Sequence, residues 1–135
     1  MKTKVIPTGS AEAIPAAYEI LKQHGLVVFP TDTVYGLAAR VDSTAAIDRI
    51  FKAKGRDFNK AIAVLIGDLP QIHRVAASLP FAAGLLAERF WPGALTIVVT
   101  RLTNLPANLS PDQTIGVRIP DHPFARQLLQ ITGPL

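Results

Sequence analysis

The spacing of apolar residues divides the chain into elements. Ile14, Ala17, Tyr18 and Leu21 recur at i, i+3, i+4 and i+7, which predicts a helix over residues 11–24 with Pro15 in its first turn and a stop at His24-Gly25. The unbroken run at 26–29 suits a buried strand, and Pro30 ends it because proline has no N–H to give to a ladder. A second helix is predicted after a cap at Asp42 or Ser43. Its stripe runs through Ala46 or Ile47, Ile50 and Phe51, and Lys54 continues it from Ile47. Gly55 is placed to end this helix. Lys54 then sits on the inward side of the last turn, Arg56 just past the end, and Lys52 on the surface.

The run at 61–66, AIAVLI, is the pattern of a strand covered on both faces. Residues 68–77 and 81–90 are predicted helices divided by Leu79-Pro80, and Trp91-Pro92-Gly93 turns the chain into a strand over 95–100, with Trp91 as a core or rim aromatic. Residues 103–113 read as loop. In 114–119, Ile115, Val117 and Ile119 alternate with Thr114, Gly116 and Arg118, so a hydroxyl, a bare backbone position and a cation share one face. Pro120 ends that strand, and Asp121 can cap a last helix with Pro123 in its first turn, running through Leu129. Strands alternating with helices predict an α/β fold, a mixed sheet with helices on both faces, built as a single domain over 1–135.

Composition narrows the class. With 135 residues, 49% hydrophobic and 18% charged, the chain can bury a core, and no acidic, Ser-rich or Gln-rich tract points to disorder. The longest nearly apolar runs, LPFAAGLLA and ALTIVV, fall far short of the roughly 20 residues of a membrane helix. MKTKVIPTGS lacks the apolar core of a signal peptide, so the expectation is a cytoplasmic protein without a membrane partner. No Cys is present, and His24, His73 and His122 are scattered, which argues against a protein-held metal. The net charge of +4 invites an anionic partner. That charge is concentrated: Arg49, Lys52, Lys54, Arg56 and Lys60 lie close together with Asp57 the only acid among them.

Several chemistries are absent from the sequence. It has no GxxxxGK[ST] phosphate loop, no GxGxxG and no GxSxG, and Ser10, Ser43, Ser78 and Ser110 have no His or carboxylate at a recognisable spacing. What remains is a set of cations, Lys54, Arg56, Lys60 and Arg118, and a set of hydroxyls, Thr31, Thr33, Tyr35 and Thr114. If residues 31–35 stay extended, Thr31, Thr33 and Tyr35 fall on one face, with Asp32 and Val34 on the other. Cations and hydroxyls without a nucleophile suit phosphoryl or nucleotidyl transfer, in which positioning and neutralising phosphate charge do most of the catalysis. A lone Thr is equally a strand hydroxyl satisfied by backbone, and a basic run equally a solvated helix face, so spacing alone leaves these alternatives open.

FPTDTVYGLAA, KGR after a helix, FWPGALTIVV and TIGVRIPDHP, in this order, resemble the YrdC-like threonylcarbamoyl-AMP synthase family from about residue 10 to the last residue. The resemblance implies a twisted sheet around a basic cleft and a nucleotidyltransferase that joins L-threonine, bicarbonate and ATP, with Mg²⁺, into threonylcarbamoyl-AMP and pyrophosphate. That product supplies the threonylcarbamoyl group of tRNA adenosine 37, so tRNA and other proteins of the same modification are implied as partners. It further implies that Lys54 and Arg56 are catalytic and grip ATP phosphates and that Lys60 and Thr114 lie near the nucleotide. Thr33 and Arg118, with Thr31 and Tyr35, would hold threonine, Arg118 by its carboxylate. An amine and bicarbonate form a carbamate without a protein nucleophile, in agreement with the absence of one.

The chain departs from the family pattern at Asp57, Ala61 and Ala94, where relatives carry Pro, and it stops before a Ser-x-Asn segment that follows the GPL-like stretch. A strand after Leu135 is expected to pair inside the sheet, and the isolated chain to be poorly active unless a longer protein or a second copy covers that edge. The alternative function is a module that binds double-stranded RNA or a nucleotide without catalysis. Such a module spreads its cations over a wide face, whereas an adenylate-forming site converges a few of them with hydroxyls.

Overall fold

The computed structural model describes residues 2–135. Helix α1 (Ala13–Lys22) buries Ala13, Ala17 and Leu21, as the apolar spacing requires. Strands β1 (Val27–Phe29) and β2 (Gly36–Ala38) pair antiparallel with Phe29 opposite Gly36, so residues 30–35 are the loop of a hairpin. This corrects the extended reading of 31–35: Pro30 ends the strand, and the polar residues after it turn the chain back.

Helix α2 (Thr44–Lys54) is capped by Ser43, whose Oγ accepts the Ala46 N–H at 3.2 Å. Asp42, the other candidate cap, instead accepts from Arg40 at 2.9 and 2.6 Å, and that hydrogen bond holds its carboxyl below the usual carboxylate range. Gly55 ends the helix in the left-handed region, at φ 56° and ψ 33°. The Gly55 N–H returns to the Lys52 carbonyl at 3.3 Å and the Arg56 N–H to that of Phe51 at 3.0 Å, satisfying last-turn acceptors.

The remaining strands, β3 (Val64–Leu65), β4 (Ile97–Thr100) and β5 (Thr114–Arg118), form a mixed sheet in the order β3-β5-β4, with β3 parallel and β4 antiparallel to β5. On the far side of β3, Leu65 and Leu135 exchange backbone hydrogen bonds at 2.9 and 3.1 Å. The strand expected over 61–66 is thus shorter than predicted. Ala61 and Ala63 are exposed, and the Ile62 N–H goes to Leu109 O at 3.3 Å rather than to a ladder, while the Ile62 side chain packs against Ala46 and Ile50 of α2 and their neighbours.

The stretch at 68–77 forms a 3-10 helix (Leu69–Arg74) with Asp68 accepting the Gln71 N–H, and α3 (Phe81–Phe90) follows as predicted. The Trp91-Pro92 bond is cis, and Trp91 lies at the rim of the core with its Nε1 donating to Leu95 O at 2.8 Å. Within 103–113, a short turn (Ala107–Leu109) is held to α2 by Asn108 Nδ2, which donates to Thr44 O at 2.9 Å and to Asp48 Oδ1 at 2.8 Å. Helix α4 (Pro123–Thr132) is capped by His122 Nδ1, which accepts the Phe124 N–H at 3.2 Å. Asp121, the expected cap, has its own N–H tied to Asp32, and the cap falls one residue later.

Two large cores result, on opposite faces of β3, and Ala39, Ala46 and Ile50 form a third, smaller cluster. Val64 faces a cluster with Ile47 and Phe51 of α2, Ala83 and Ala87 of α3, and Ile115 and Val117 of β5; Leu65 faces α1, α4 and the hairpin through Leu21, Leu128 and Phe29. Coverage is unequal, for Val98 on the outer face of β4 is 65% exposed. Gly55→Ala should lower stability by roughly 1 kcal/mol, because a Cβ is strained in the left-handed region. Gly55→Asn should cost less, and urea unfolding of both variants checks the order.

Candidate functional site

The uncovered part of the 61–65 run is one wall of a cavity of about 270 Å³. The other walls are the hairpin loop, the C-terminal turn of α2 and the end of β5. Thr31, Thr33, Tyr35, Lys54, Arg56 and Arg118 all line it, over an apolar floor that includes Phe29, Ile47, Ile50 and Ile62. Lys60 and Thr114 are not among the lining residues. Lys60 sits in an exposed turn closed by its N–H to Asp57 O at 3.0 Å. Thr114 begins β5 at the end away from Arg118; its hydroxyl and N–H both donate to Asp112 Oδ1 at 2.7 Å, which holds the Asp112 carboxyl below the usual range.

Local structure aims each group. Thr31 Oγ1 accepts the Thr33 N–H at 3.2 Å and donates to Val34 O, so the hairpin loop is folded around that hydroxyl. The Thr31 and Thr33 hydroxyls stand 3.2 Å apart although no strand aligns them. Tyr35 stands at the rim, 74% exposed. At the other side, Arg56 Nη2 donates to Ala61 O at 2.9 Å, and Lys54 is exposed. The turn that follows is braced by Phe58, whose ring stacks on Phe51 of α2 at 4.6 Å between centroids.

Among the cations that line the cavity, Arg118 is the most tightly held. Its Nε donates to Gly93 O at 2.7 Å, Nη1 to Thr33 Oγ1 at 3.1 Å, and Nη2 to Asp32 Oδ1. The same Asp32 oxygen accepts the Asp121 N–H at 3.1 Å. Asp32 and Gly93 are site residues that sequence reasoning passed over. The available signal was a lone carboxylate inside a run of hydroxyls, but alternation assigned Asp32 to the face turned away.

No acidic side chain lines the cavity, and among the described residues no group of three or more His, Cys, Asp or Glu could hold a metal ion. The donor set therefore does not fit a resident Mg²⁺; such an ion would belong to the phosphates of a bound nucleotide. No helix among the described residues is long and apolar enough to cross a membrane.

A family model covering Sua5, YciO and YrdC proteins, described as telomere recombination, matches residues 19–135. The chain belongs to the Sua5/YciO/YrdC family. It is 39% identical over 125 residues to threonylcarbamoyl-AMP synthase of Bacillus subtilis, covering 89% of this chain and 35% of the relative. It is 37% identical over 129 residues to threonylcarbamoyl-AMP synthase of Homo sapiens, covering 94% of this chain and 46% of the relative. The structure of P. abyssi Sua5 complexed with L-threonine superimposes with a TM-score of 0.88 at 34% identity, over 97% of this chain and 38% of that one. The chain thus spans less than half the length of these relatives, and the resemblance of its motifs to the YrdC-like family stands.

Thr31→Val should release the hairpin loop, because it removes the acceptor of one backbone N–H and the donor to one carbonyl. The expected outcome is loss of hydrogen-exchange protection at the Thr33 amide and a stability loss of about 1 kcal/mol, with Thr31→Ser close to wild type.

Proposed function

We propose that the cavity holds ATP by Lys54 and Arg56 and L-threonine by Thr33 and Arg118, and joins them with bicarbonate into threonylcarbamoyl-AMP and pyrophosphate. One observation carries this reading: three segments far apart in sequence bring cations and hydroxyls, and no acidic side chain, to the wall of one cavity. The names of the relatives and the threonine complex of P. abyssi Sua5 support it. The two sets hold on at different points of the same wall: Arg56 is anchored at the Ala61 carbonyl, and Arg118 pairs in register with Leu65, four residues further along the chain.

The chemistry asks for binding rather than for a protein nucleophile. The threonine amine adds to bicarbonate with loss of water, a carbamate oxygen attacks the α-phosphorus, and the bond to the β-phosphate oxygen breaks with the electron pair leaving on pyrophosphate. Arg118 and Thr33 fix the amino acid so that its amine faces the nucleotide, and Lys54 and Arg56 hold the phosphates and take up charge on the departing oxygens. The product would supply the threonylcarbamoyl group for tRNA adenosine 37, and tRNA would be the eventual acceptor. A backbone-binding RNA module would make no use of the Thr31 and Thr33 hydroxyls.

Calorimetry with each ligand tests the assignment. Lys54→Ala and Arg56→Ala should each weaken ATP by about 1.5–3 kcal/mol, the worth of a charge-assisted contact, while Lys52→Ala leaves it unchanged. Thr33→Val and Arg118→Met should weaken threonine and spare ATP. Equal losses from Lys52, Lys54 and Arg56, with a steep salt dependence, would replace this reading with a diffuse phosphate-binding surface.

A further inference from the structure

The cavity recruits two kinds of cation. Lys54 and Arg56 make no ion pair among the described residues, and no acidic side chain faces them across the cavity. Arg118 is paired with Asp32, and both side chains are largely withdrawn from solvent, at 12% and 20% exposure. Asp32 itself does not line the cavity. Its carboxylate meets the guanidinium from outside the cavity lining, and the Asp121 N–H on the same oxygen, at 3.1 Å, anchors it there. With Nε committed to Gly93 O and one donor each of Nη1 and Nη2 to Thr33 and Asp32, the fork of Arg118 is fixed in direction and keeps an N–H on each Nη.

We infer that Asp32 is a specificity-determining, positioning residue: paired with Arg118, it makes that end of the cavity electrically neutral and reserves it for a zwitterionic amino acid, leaving polyphosphate to the unbalanced Lys54 and Arg56. The inference rests on the assignment of threonine to Arg118 proposed above. An amino acid carries no net charge, so it loses little by docking on a neutralised cation that offers directed donors. A polyphosphate carries several negative charges and is drawn to uncompensated ones; the carboxylate paired with Arg118 repels it. Without this device both ligands would compete for the same three cations, and a nucleotide bound in the amino-acid subsite would block the reaction. Asp32 touches neither ligand and acts only through Arg118.

The test is competition between L-threonine and inorganic tripolyphosphate, read by calorimetry on the full 135-residue chain. In the wild type, saturating tripolyphosphate should leave threonine affinity unchanged; displacement there would overturn the inference whatever any variant does. Asp32→Asn keeps an oxygen for the Asp121 N–H and removes only the charge. It should gain a second tripolyphosphate site, and threonine should bind at least tenfold more weakly in the presence of tripolyphosphate. Asp32→Glu should behave as wild type, and Arg118→Met in the Asp32→Asn background should abolish the second site. A merely structural Asp32 would leave the two ligands independent in Asp32→Asn, and that result would sink the inference. Failure of the underlying assignment looks different: threonine would bind wild type and Arg118→Met equally.

Discussion

The hairpin loop depends on one guanidinium. A two-stranded hairpin with three residues in each strand has little stability of its own, and Phe29 and Ala38 are the residues of its strands that are buried in the core. Arg118 reaches it from the end of the central strand and joins Thr33 and Asp32 to the Gly93 carbonyl, which lies in the turn between α3 and β4. Through Asp32 the same junction takes in Asp121, at the entry to α4. Four parts of the chain therefore meet around a single side chain, which itself lines the cavity.

The second constraint is an incomplete strand. Were residues 61–63 laddered and covered on both faces as their composition invites, a helix would fill the space that the cavity occupies. Instead the Ile62 N–H is diverted to Leu109, Ala61 accepts from Arg56, and the small side chains of Ala61 and Ala63 leave room. The cavity floor is made of core residues, Ile47 and Ile50 of α2 and Phe29 of β1, so packing and site share the same atoms. A substitution at Ile50 would be felt in both.

The helices were legible because a period of 3.6 survives without knowledge of neighbours: the stripe through Ile47, Ile50 and Phe51 and the stop at Gly55 put Lys54 and Arg56 where the structure has them. Alternation in β5 likewise turned Arg118 away from the core. The hairpin loop was not legible in this way. Its conformation follows from the Thr31 hydroxyl and from Arg118, 86 positions from Asp32, and no local pattern encodes a contact at that distance. The cap of α4 likewise falls on His122 rather than Asp121, whose backbone N–H is held by the distant Asp32 carboxylate. Sharing a face with Arg118 drew Thr114 into the candidate list, but the length of β5 carries it out of the cavity.

The stop of α2 at Gly55 has an electrostatic side. The aligned peptide dipoles of a helix sum to the equivalent of about half a negative charge at its C-terminus, and this end of α2 is the one that carries Lys54 toward the cavity. These dipoles offset only a fraction of the charge of Lys54 and Arg56, far less than the full carboxylate that balances Arg118, so the field a phosphate meets there is only a little weaker than a count of cations suggests. A nucleotide arriving with its full charge would not be neutralised there. It would be held by the direction of a few hydrogen bonds, and the rest of its compensation has to travel with it, as counter-ions on its own oxygens.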